Sequence, residues 1–147
     1  MRGTNADLNL LETLMKYTPP NLELQWEHAL LQERKAINYW VCAHDTVQAT
    51  TLFRQAIAEK KAVLSETEPS DPKYDKRIIS LGKTLYCFSR LFQDERDYIS
   101  SEELLNELVQ TLRPLQFRRT SPTVGVLLQN SYRILTEIVP WCTMSGV

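Results

Sequence analysis

The sequence predicts an all-α fold, a single domain of about six helices. Three observations carry this expectation. No segment alternates apolar and polar residues long enough to make a strand, apolar residues recur at three- and four-residue spacing, and the seven prolines gather at a few points between those stretches. A chain of 147 residues can bury its own core, either as a closed bundle or as stacked helical hairpins.

Thr4 or Asn5 can cap a first helix reaching Tyr17, with Leu8, Leu11, Leu14 and Met15 on its apolar side, and Pro19 and Pro20 stop it. The second helix is expected from near Asn21 to Ala43. At about 100° per residue, Leu22, Trp26, Ala29, Leu30, Ala36, Ile37, Trp40 and Val41 form one broad apolar stripe, and Leu24, Leu31 and Cys42 form a narrower second patch. Asp45 or Thr46 caps a third helix reaching Ser65, which gathers Ala49, Leu52, Phe53, Ala56, Ile57, Val63 and Leu64. Lys60 falls within that stripe and is expected to snorkel at its edge.

The polar segment "SETEPSDPKYD" carries two prolines and is the clearest loop, too short to separate two domains. A fourth helix, Lys73 to Gln93, aligns Tyr74, Ile78, Leu81, Leu85, Phe88 and Phe92. In "SSEELLNELVQTL" Ser100 and Glu103 have capping-box spacing ahead of Leu104, Leu105, Leu108, Val109 and Leu112. The last helix opens at "SPT", where Ser121 can cap and Pro122 suits the first turn. Pro140 is expected to close it, leaving Trp141 in an uncharged tail that suggests a chain cut from something larger.

Seventeen basic residues against eighteen acidic ones give a net charge of -1, so no global pull toward nucleic acid or anionic membrane follows. The hydrophobic share of 43% and charged share of 24% argue against wholesale disorder. Three widely spaced cysteines, Cys42, Cys87 and Cys142, read as a reduced intracellular protein, cytoplasmic or nuclear. No apolar run reaches the roughly 18 residues of a bilayer span.

"NYWVCAHDT" has the densest chemistry, yet on a continuous helix Cys42 and His44 point about 200° apart, and His28 lies about 21 Å from Cys42 along the axis. Zinc needs about four converging ligands, and three cysteines with two histidines at these spacings supply no such set. No metal or cofactor is expected. On the fourth helix Cys87, flanked by Lys83 and Arg90 with Lys76 further along, reads as a mildly activated, exposed thiol on a basic face. "RPLQFRR" adds Arg113, Arg118 and Arg119. In "RRTSP", Ser121 suits a kinase, and a phosphate there would sit at a helix start beside two arginines. "SLGKT" resembles a phosphate-binding loop, but Arg77 stands where its first glycine belongs.

The function expected from these features is a noncatalytic helical scaffold or adaptor domain that binds a helix or short peptide of a protein partner. Its contacts are expected at Leu24, Leu31 and Cys42, at Lys76, Lys83 and Arg90, and at Trp141. The alternative is a nucleic-acid-associated domain using Lys76, Lys83, Arg90, Arg118 and Arg119. A third class is a cysteine-dependent enzyme working through Cys42 with His44, or through Cys87.

Overall fold

The computed structural model describes the backbone of residues 2–117 and 122–145, and the side chains of 3–117 and 122–140. Among the described residues six α-helices follow in order: α1 Arg2–Tyr17, α2 Leu22–Val41, α3 Thr46–Ser65, α4 Tyr74–Asp94, α5 Tyr98–Leu112 and α6 Pro122–Ser145. A short 3-10 turn, Arg113–Leu115, follows α5. The described residues include no strand, and no helix among them is long and apolar enough to cross a membrane. Contacts gather into two compact units, Met1–Glu68 and Pro69–Val147, and the boundary falls in the polar proline-bearing loop.

In the first unit α2 packs on both α1 and α3. Ala29 and Ala36 on α2, and Ala49 and Ala56 on α3, are fully buried. A seven-residue spacing of small side chains keeps one face of each helix narrow, which lets neighbouring axes approach closely. Phe53 and Val63 fill the space beside them, and α1 contributes Leu8. Asn21 accepts hydrogen bonds from the backbone N–H groups of Glu23 and Leu24, so α2 begins one residue after its cap.

Lys60 corrects the expectation of a snorkelling side chain, because it is wholly buried. Its ammonium donates to Glu33 Oε2 at 2.7 Å and lies 5.4 Å from the centre of the Trp26 ring. A carboxylate and an aromatic face supply inside the unit what water would supply at its edge.

Two of the turns between packed helices use a non-glycine residue in the left-handed region followed by a capping aspartate. Between α2 and α3 these are His44, with φ of 53°, and Asp45, whose side chain accepts from the Gln48 N–H. Between α4 and α5 they are Arg96, with φ of 59°, and Asp97, which accepts from the Ser100 N–H. In the second turn the Arg96 N–H bonds to the Gln93 carbonyl and the Asp97 N–H to the Phe92 carbonyl. That pair of bonds closes the α4 C-terminus as a Schellman motif.

In the second unit α5 packs against α4 and α6. Leu105, Ile134 and Ile138 form a buried cluster flanked by Tyr86, Tyr98 and Leu135. Two expectations are corrected. The cap of α5 is Asp97, three residues before the expected Ser100, whose hydroxyl instead donates to Asp97 Oδ2 at 2.7 Å. Pro140 does not end α6, whose backbone runs on to Ser145. An internal proline removes one N–H from the helix ladder, and the turns on either side carry the helix through it. Ser121, the expected cap of α6, lies outside the described residues.

Candidate functional site

The first unit carries the most distinctive surface. In "LNLLETL" only Leu8 reaches the core, while Leu10 is 72% exposed and Leu14 46% exposed. Leu14, expected on the core side of α1, therefore forms part of the surface. Leu10, Leu11 and Leu14 of α1 stand beside Leu31 of α2 around a groove of about 430 Å³, whose charged lining residues are Asp7 and Glu27. A residue spacing of three and four places these leucines along one edge of α1, with more apolar arc than contact with α2 covers.

The structure separates the expected Leu24, Leu31 and Cys42 patch. Leu31 lies in the groove, whereas Leu24 lines a smaller hollow of about 220 Å³ at the turn between α1 and α2, with Met15, Pro19 and Pro20. Cys42 follows the last turn of α2 as its C-cap and is exposed, lining neither hollow. Cys42 keeps helical backbone angles, so the three share a side of α2, but the rise of about 1.5 Å per residue sets Leu24 and Cys42 about 10 and 16 Å from Leu31 along the axis.

A partly buried ionic cluster joins the three helices of this unit. His28 of α2 donates from Nδ1 to Glu59 of α3, at 2.7 Å to Oε1, and its Nε2 lies 3.1 Å from Glu12 Oε1 of α1. The His28 side chain is 12% exposed, against 53% for Glu12 and 23% for Glu59. Burial by itself would lower the His28 pKa; hydrogen bonds and charge from Glu12 and Glu59 outweigh it and raise the pKa above the ordinary 6.5. Among the described residues no three of His, Cys, Asp and Glu form a set that could hold a metal ion. Pairing across three helices, with partners 16 and 31 positions away, leaves no local pattern by which a sequence could announce this bridge.

Lys76, Lys83 and Arg90 are exposed along α4 of the second unit. Cys87, expected to be exposed on that face, is instead half-buried. Gly82 of "SLGKT" is a packing residue, since a Cβ there would come within 2.9 Å of Leu112 Cδ1, and Arg77 is buried. Arg118, Arg119 and Ser121 lie outside the described residues, as does the side chain of Trp141. Comparison with protein-family models, with curated proteins and with solved structures gave no match to the chain.

Proposed function

We infer that the first unit is a protein-interaction module, a noncatalytic adaptor whose leucine groove receives an amphipathic helix of a partner protein. The observation that carries this is the exposure of Leu10 and Leu14 beside Leu31 in a groove whose charged lining is acidic. Contiguous apolar surface of this kind is costly to leave in water, and a helix presenting apolar residues at three- and four-residue spacing is its natural cover. Asp7 and Glu27 favour lysine or arginine at the margins of that helix, which sets orientation and speeds encounter.

The test is titration of the full chain with a fluorescent peptide that is helical, carries leucine along one face and lysine at its flanks. Binding is expected, with Leu10→Glu or Leu31→Glu weakening it at least about tenfold and Glu27→Lys slowing association. Failure of the peptide to bind, or equal binding by the wild type and Leu10→Glu, would overturn the inference.

A further inference from the structure

Imidazole can donate hydrogen bonds from both ring nitrogens only when it is protonated. His28 has a carboxylate on each nitrogen, Glu59 at Nδ1 and Glu12 at Nε2. With one proton gone, one nitrogen must present a lone pair to a carboxylate, and that contact turns repulsive. The more weakly held side is Glu12, whose contact is the longer at 3.1 Å and whose side chain is half exposed. Lys16 of α1 shares a surface hollow with Glu12, Met15 and His28, and Lys60 of α3, next in the chain to Glu59, is engaged by Glu33 of α2. Glu12 lies on the same helix as Leu10, Leu11 and Leu14, and His28 lies three residues before Leu31.

We propose that His28 is a proton-operated latch: as imidazolium it ties α1 to α2 and α3, and on losing a proton it releases Glu12 and loosens the α1 wall of the leucine groove. Helix binding in the groove, a consequence that rests on the function inferred above, is then tighter below the His28 titration than above it. The raised pKa agrees with this geometry, since a carboxylate on each ring nitrogen favours the imidazolium.

Two measurements on the full chain test the latch. The first is backbone amide exchange at about pH 6 and about pH 8.5, corrected for intrinsic rates. Protection of α1 is expected to fall about tenfold at the higher pH while α2 and α3 keep theirs. In Glu12→Gln, a mild change at a half-exposed position, α1 protection is expected to lose this pH dependence. Unchanged α1 protection in the wild type, or an equal response in Glu12→Gln, would overturn the latch. The second measurement is affinity for the leucine-lysine peptide at both pH values, expected to be several-fold tighter at the lower one. Equal affinity together with a pH-dependent α1 would overturn control of the groove. A peptide that binds at neither pH removes the groove function and leaves amide exchange to decide the latch.

Discussion

Lys60 and Glu33 form an ion pair of 2.7 Å in which the lysine side chain has no exposure and the glutamate 16%. Removing the glutamate takes the counter-charge from a buried ammonium, whereas replacing the lysine by an apolar side chain of similar length leaves only a carboxylate that reaches water. Glu33→Ala is therefore expected to cost about 3 kcal/mol and Lys60→Met about 1 kcal/mol or less. Urea unfolding of both variants checks this, and a larger loss in Lys60→Met would contradict it.

The His28 bridge predicts how stability responds to pH. Because the folded pKa is raised above 6.5, the folded chain holds its proton more tightly than the unfolded one. The resulting stabilisation is complete below the unfolded value and is lost as pH rises through the folded value. The thermal midpoint of the wild type should fall between about pH 6 and about pH 8.5, and His28→Gln should flatten that part of the profile.

Gly82 and Leu112 predict a packing conflict. Alanine at 82 would gain about 1 kcal/mol in helix propensity. Its Cβ would nevertheless lie within 3.1 Å of three side-chain carbons of the fully buried Leu112. Overpacking costs about 1–3 kcal/mol, so Gly82→Ala should destabilise by about 1 kcal/mol. In a double-mutant cycle Leu112→Ala should cost less in the Gly82→Ala background than alone.

The hairpin turns predict opposite effects at adjacent residues. Arg96 adopts a left-handed conformation that glycine adopts without strain, so Arg96→Gly should stabilise by about 0.5–1 kcal/mol. Asp97→Ala removes the bond from the Ser100 N–H and should cost about 1 kcal/mol. Chemical denaturation of the two single variants settles both signs.

The features legible in the sequence are those set by neighbours in the chain. Asp45 caps α3 and α2 starts beside Asn21, both as expected, and the loop between α3 and α4 follows from its prolines. The α5 start was misplaced because Ser100 and Asp97 both offer a capping oxygen, and the left-handed residue before Asp97 is an arginine, which gives no glycine signal. Lys60 and His28 were missed for a different reason, since the partners that make their burial affordable stand on other helices. For the groove, Leu31 was legible as surplus apolar arc. Leu10 and Leu14 were not, because helical angle alone does not say how much of an apolar face its neighbour covers.

Among the described residues, the main helix contacts within each unit join elements near one another in the chain: α1 with α2 and α2 with α3 in the first, α4 with α5, α5 with α6, and α4 with α6 across a single helix in the second. Chains built from such short-range pairings close small loops first and fold in microseconds to milliseconds. Each hairpin can assemble around its own turn without waiting for distant segments, so little apolar surface stays open to wrong partners during folding.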